Sequence, residues 1–229
     1  MCVVTWISKI DGFCALTSNR DISISRPHSS PPNKINFLNK PILYPEDPLG
    51  KGSWIATSSK AIVCLLNETS SNINQKYNYS RGKLVLELST KSLDLYNKRL
   101  LSNYDSFQLV KANFSSKQLS HLKWNGSKLV LKQLKWNGSY LWSSNTIYLK
   151  NHKLKKEQRF KDFIEKNPYN SNLIFDFHDK ERLIIENGIR NLADELVITT
   201  SITQVKVKKS LVIMTYKDLL NNSLHCRNI

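Results

Sequence analysis

Three dipeptides constrain this fold most: Asp11-Gly12, Asn125-Gly126 and Asn137-Gly138. Asp-Gly and Asn-Gly tolerate the positive φ of tight hairpin turns, so each predicts two antiparallel strands joined by a short loop. Asp11-Gly12 sits between two apolar, β-rich runs, residues 2–7 and 13–17, so a hairpin begins almost at the first residue. The other two dipeptides lie in an internal echo, Leu122-Lys123-Trp124-Asn125-Gly126-Ser127 returning as Leu134-Lys135-Trp136-Asn137-Gly138-Ser139. One echo is too little for a repeat architecture, and the turns predict a meander of short strands over 107–149. Residues 53–56 and 61–66 make another hairpin. Strands return at 196–207 and 210–216, with alternation clearest at Val205-Lys206-Val207-Lys208.

Helical spacing of leucines covers 83–101 and suits two short helices parted around 89–91. A longer helix is predicted over 155–166, with Phe160, Phe163 and Ile164 as its apolar stripe and Asn167-Pro168 as its stop. Another is predicted around 180–187. Between residues 21 and 50, prolines at 27, 31, 32, 41, 45 and 48 mark an irregular stretch, long for a loop and therefore a lid or a packed excursion. The sum is an α+β chain of mostly antiparallel strands with grouped helices, plausible as two sheets sandwiched between helical layers and expected to form a single domain over 1–229.

Composition removes several function classes. Five Trp, nine Tyr and eight Phe spread over 229 residues exclude disorder of the whole chain. The net charge is +16, yet its clusters are short. Lys153, Lys155 and Lys156 fall on a helical pattern, and Lys206, Lys208 and Lys209 on the polar side of a strand. Without a basic stripe interleaved with aromatics, this reads as a solvated basic surface, and nucleic acid is not an expected partner. Four cysteines show neither a C-x-x-C pair nor a zinc-like spacing, and Cys14 and Cys64 sit in apolar runs as inert, buried thiols. No signal-peptide pattern or run of transmembrane length is present, so a cytoplasmic location is expected. The oligomeric state is not legible.

Cys2 carries the chemistry. Removal of Met1 would give one residue both a thiol nucleophile and a free α-amine, whose unperturbed pKa of about 7.7–8.0 lets it act as a base near neutral pH. An antiparallel first hairpin brings Thr17-Ser18-Asn19-Arg20-Asp21 beside the start of strand one. Asp21 would then accept from the α-amine, and Arg20 would stabilise thiolate or orient substrate. His178, in Asp176-Phe177-His178-Asp179, reads as a surface turn residue rather than an axial metal ligand.

Several segments together resemble a known family: Met1-Cys2-Val3-Val4-Thr5-Trp6, Thr17-Ser18-Asn19-Arg20-Asp21, Lys51-Gly52-Ser53-Trp54-Ile55-Ala56, Cys64-Leu65-Leu66-Asn67 and Ser80-Arg81-Gly82. Ser143-Ser144-Asn145-Thr146 and Thr200-Ser201-Ile202-Thr203-Gln204 continue the match in order. The pattern is similar to that of the NRDE family, also called the transport and Golgi organisation 2 family. That family resembles N-terminal nucleophile hydrolases with an αββα sandwich, the fold of choloylglycine hydrolases and penicillin V acylases. The resemblance implies Cys2 as nucleophile with Arg20 and Asp21 beside it, Asn145 contacting amine and substrate, Asn67 as an oxyanion donor, and Arg81 as a structural cap. It implies an amidohydrolase of non-peptide amides or acyl thioesters needing no cofactor, or alternatively a carrier of haem or acyl-CoA. The family motif ends in glutamate, where this chain has Ile22.

Overall fold

Gly12 adopts φ +83°, and the first hairpin closes as expected: β1 (Val3–Ser8) and β2 (Cys14–Ser23) pair antiparallel from Val3↔Asn19 to Ser8↔Cys14. The computed structural model describes residues 3–9, 12–69, 77–167, 171–190 and 194–229. Four strands follow: β3 (Ser30–Phe37), β4 (Lys40–Glu46), β5 (Ile55–Ser58) and β6 (Ala61–Asn67). Two short helices come next, α1 (Arg81–Leu88) and α2 (Lys98–Leu101), and then β7 (Phe107–Asn113), β8 (Gln118–Trp124), β9 (Leu129–Leu134) and β10 (Ser139–Ser143). Helices α3 (Lys150–Lys166) and α4 (Ser171–Lys180) precede β11 (Ile189–Arg190), β12 (Leu196–Lys208), β13 (Leu211–Asp218) and β14 (Ser223–Asn228).

These elements form two compact units, one of residues 1–26 and 137–226, the other of 27–136 and 227–229. The sheet of the first runs β10-β1-β2-β12-β13-β14, with β11 added on β12. Helices α3 and α4 cover one of its faces, where Phe160, Ile174 and Phe177 pack on Ile7 and Ala15. In the second unit, β3 to β9 lie side by side in chain order. One face of that sheet carries Val63, Leu65, Leu109, Leu122 and Trp124 beneath Leu84, Val85 and Leu88 of α1. Each such side chain stabilises the fold by about 1.5–3 kcal/mol when fully buried. Cys14 and Cys64 are buried as expected, and burial pushes the Cys14 thiol up to about 12.

Several expectations need correction. The echo over 107–149 is not one meander: β7, β8 and β9 are consecutive neighbours, but β10 joins β1 in the other sheet. The first Asn-Gly makes a four-residue turn, in which the Asn125 side-chain oxygen accepts from the backbone N–H groups of Ser127 and Lys128 at 3.0 and 2.7 Å. The second makes no hairpin; the Gly138 carbonyl instead accepts from the Ser8 N–H at 3.1 Å. The proline-rich stretch is neither lid nor irregular loop. It forms the β3–β4 hairpin, and β3 is an edge strand whose register slips between Ser30 and Asn33, where Pro31 and Pro32 cannot donate. Its two-residue turn, Leu38-Asn39, has φ 50° and 60°, and Lys209-Ser210 makes the same kind of turn with φ 52° and 35°. The helix expected near 180–187 lies earlier, at Ser171–Lys180, and strand β14 had no sequence signal.

Two of the family-like motifs meet in the second unit. A Cβ on Gly52 would come within 2.5 Å of the Gly82 carbonyl carbon, and the Ser53 N–H donates to the Gly82 carbonyl at 3.2 Å. Close backbone approach therefore dictates glycine at position 52, and at Gly82 a Cβ would sit tightly, 3.0 Å from the Ser53 nitrogen. Ser80 caps α1, accepting from the Gly82 N–H at 3.2 Å, so Arg81 is not the cap. Its guanidinium instead donates to the Ser106 carbonyl at 2.8 Å and pairs with Asp105 at 2.9 Å.

Candidate active site

The register of β1 decides what surrounds the chain start. Val3 is paired on one side with Asn19 and on the other with Ser143. Cys2 itself lies outside the described residues. Immediately beyond the Asn19 pair come Arg20 and Asp21, each 1% exposed, and two residues beyond the Ser143 pair comes Asn145, exposed in the turn that follows β10. Arg20, Asp21 and Asn145 thus fall at the end of the sheet where β1 begins at Val3. Asn67 ends β6 in the second unit, half-buried and paired with Phe107.

Strand alternation separates the two charged neighbours. Asn19 and Asp21 share one face of β2, while Ser18 and Arg20 share the other. Opposite them β12 carries a bulge: Thr199 pairs with Asp21, Ser201 with Arg20, and Thr200 is the extra residue. Bulges re-aim side chains and are frequent beside functional sites. Here the Thr200 hydroxyl donates to the Arg20 carbonyl at 3.2 Å and accepts from the Arg20 guanidinium at 3.4 Å. Asp21 is held at both oxygens, by the Tyr148 hydroxyl at 2.8 Å and the Thr199 hydroxyl at 2.6 Å. Ile22 is half-buried opposite Ile198 and supplies no carboxylate.

A second buried network underlies the same strands. The Asn19 amide donates to the His178 carbonyl at 3.1 Å, so its oxygen is the atom 2.7 Å from His178 Nδ1. Nδ1 then carries the proton, and Nε2 accepts from the Thr5 hydroxyl at 2.8 Å. The chain Thr5–His178–Asn19 fixes a neutral tautomer. Burial chiefly, and then the Lys156 charge, outweigh the opposing pull of Glu181 and lower His178 to about 3. The expectation of a surface turn is therefore wrong: His178 is 0% exposed on α4. Its spacing from Ile174 and Phe177, four residues and one, places it on the helix's buried side, and that helical spacing was the available signal.

Lys156 also departs from the expected solvated surface. It is 6% exposed, pairs with Glu181 at 2.9 Å and lies 4.9 Å from the centre of the Tyr148 ring. Arg159 holds Glu181 with two further bonds, at 2.5 and 2.7 Å. Burial alone would raise the Glu181 carboxyl, but the hydrogen bonds and charges of Arg159 and Lys156 win and hold it below its usual range. Tyr148 therefore links Asp21 to a partly buried charged cluster of Lys156, Arg159 and Glu181. Sequence reasoning named Arg20, Asp21 and Asn145 as candidates but did not anticipate that Thr5, Tyr148, His178 and Thr199 bond to the same strand end. Among the described residues no group of three or more His, Cys, Asp or Glu side chains could hold a metal ion. No described helix is long and apolar enough to cross a membrane.

No family model matches the chain, and no curated protein matches its sequence. Solved structures do match its fold. A C2A variant of the conjugated bile acid hydrolase from Clostridium perfringens superimposes with a TM-score of 0.64 at 12% identity, over 100% of this chain and 92% of that one. Penicillin V acylase from Agrobacterium tumefaciens gives a TM-score of 0.64 at 7% identity, over 100% of this chain and 86% of the acylase. The expected α+β fold with two antiparallel sheets is thus that of N-terminal nucleophile hydrolases.

Proposed function

We propose that this chain is an N-terminal cysteine amidohydrolase, acting on a non-peptide amide or an acyl (thio)ester, and that it belongs with the NRDE, or transport and Golgi organisation 2, family. The register of β1 carries this reading: Asn19-Arg20-Asp21 and the Asn145 turn lie on either side of the strand that Cys2 precedes. The fold likeness supports it, because the two neighbours are named a hydrolase of conjugated bile acids and an acylase of penicillin V, and the first is a C2A variant. Those names point to acyl amides as the substrate class.

In this mechanism the α-amine of Cys2, freed by loss of Met1, takes the thiol proton as the sulfur attacks the acyl carbon. The amine then returns that proton to the leaving nitrogen or sulfur, and water releases the acyl group from Cys2. Asp21, anchored by Tyr148 and Thr199, orients the amine, and Arg20 fixes the substrate or stabilises the thiolate. The roles of Asn145 toward amine and substrate, and of Asn67 as oxyanion donor, rest on the family resemblance. A free thiol nucleophile suits a reducing, cytoplasmic setting. The test is a burst assay with p-nitrophenyl acetate. The reading predicts a burst of p-nitrophenol stoichiometric with protein and absent from Cys2→Ser. A burst that survives this substitution, or none in the parent, would contradict it.

The net charge of +16 favours a second reading, a carrier of anionic haem or acyl-CoA on the same fold. His178 cannot serve as axial ligand there, because both its ring nitrogens are engaged in a fully buried site. Titration of haem followed at the Soret band tests this reading. Saturable binding with a shifted band supports it, and an unshifted band contradicts it.

A further inference from the structure

The helix-bearing face of the second unit's sheet changes character along its strands. Cross-strand neighbours Leu65, Leu109, Leu122 and Leu131 form one row. Two residues on, the next row reads Val63, Lys111, Ser120 and Gln133, and the following one Ala61, Asn113 and Gln118. The chain leaving α1, residues 89–94, passes over these polar rows and encloses a cleft of about 200 Å³. All of the cleft's lining belongs to one unit.

The lining is rich in hydrogen-bond donors. Lys111 is 7% exposed, and its ammonium is bonded to a single protein acceptor, the Lys91 carbonyl. Two of its three N–H donors therefore remain unspent. The Asn113 side-chain oxygen is consumed by the N–H groups of Ser115 and Ser116 at 3.1 and 3.2 Å, which leaves its NH₂ as donor. The Gln133 oxygen accepts from Ser120 at 2.9 Å, which orients its amide and leaves the NH₂ as a further donor. The Thr90 carbonyl accepts from Lys40 at 3.0 Å, and the one carboxylate in the lining, Asp94, accepts from the Ser92 hydroxyl at 2.8 Å and is the single negative charge set against the lysines there. Lys60 and Lys91 also line the cleft, the Lys91 ammonium paired with Glu87 at 3.4 Å. A buried ammonium with unspent donors, beside amides held by bonds to their oxygens with NH₂ groups to offer, suits an oxyanion.

We propose that this cleft binds a small phosphate-class oxyanion, either inorganic phosphate or the head group of a small phosphate monoester. The inference is independent of the amidohydrolase reading. Burial lowers Lys111 to about 8, with Lys40 lowering and Asp94 raising it, so the ammonium stays charged at neutral pH and loses its proton above. Affinity for the anion therefore falls progressively as pH rises above that value.

Isothermal titration of the full-length protein at fixed ionic strength tests the proposal, with inorganic phosphate, glycerol 3-phosphate and sulfate as probes. Saturable binding of at least one is expected, weakened about tenfold or more by Lys111→Met and about threefold by Lys60→Ala. Tighter glycerol 3-phosphate than phosphate would identify a monoester head group; equal affinities would identify the free ion. Sulfate stays dianionic throughout, so its binding should fall across pH 7–9 in the parent and persist in Lys111→Arg. Lys60 is exposed, so Lys60→Ala keeps the test decisive if Lys111→Met fails to fold. No saturable binding by any probe, or binding indifferent to both substitutions, would overturn the proposal.

Discussion

Asp21 and His178 show how individual residues can bind a strand pair to its helices. Asp21 accepts from two hydroxyls in a site 1% exposed, so Asp21→Ala leaves Tyr148 and Thr199 without their acceptor. Urea unfolding should register a loss of about 2–4 kcal/mol, against about 1 kcal/mol for Tyr148→Phe, which removes one donor and leaves one carboxylate oxygen bonded. His178 acts through linkage. Its folded pKa is about 3, below the unfolded value, so the unfolded chain binds the extra proton between those limits. Its contribution is complete above the unfolded pKa of about 6.5 and is lost as pH falls toward 3, at a slope of about 1.4 kcal/mol per pH unit within that window. His121, lowered to about 4 mainly by burial, adds a similar slope over a shorter range. His178→Asn should therefore reduce, without abolishing, the fall in unfolding free energy from pH 6 to pH 4.5. An unchanged slope would show that His178 is not held neutral.

At the scale of elements, legibility followed backbone chemistry. The first hairpin could be read because Asp11-Gly12 separates two apolar runs. The Leu38-Asn39 turn could not, because a branched apolar residue at φ 50° runs against turn preference and is imposed by the register of β3 and β4. Leu38→Asn with Asn39→Gly should therefore stabilise the protein by about 1 kcal/mol, seen as a small rise in melting temperature. Helix α3 is a similar case: Leu149 stands at its N-cap with no side-chain hydrogen bond, and its first turn holds no acid. Leu149→Asp should add about 1 kcal/mol by capping a free N–H and opposing the helix dipole. In the opposite direction, Gly52→Ala should cost about 1–3 kcal/mol or more in thermal unfolding, since its Cβ would strike the backbone at Gly82.

Across the whole molecule, local signals identified most strands but not their partners. Both copies of the Trp-Asn-Gly-Ser echo look alike, yet one closes β8 on β9 and the other releases the chain to β10 beside β1. That assignment depends on long-range pairing, to which turn residues are blind. The candidate site was legible in part for the same reason. Arg20 and Asp21 follow from one local hairpin, whereas Tyr148, Thr199 and His178 reach Asp21 and Asn19 from more than a hundred residues away. In the proposed mechanism the chain starts functional life at Cys2. Intact and peptide mass spectrometry after brief iodoacetamide treatment tests it directly. The account predicts loss of Met1 and preferential carbamidomethylation of Cys2, ahead of buried Cys14 and Cys64 and exposed Cys226. Retained Met1, or a Cys2 no more reactive than Cys226, would contradict it.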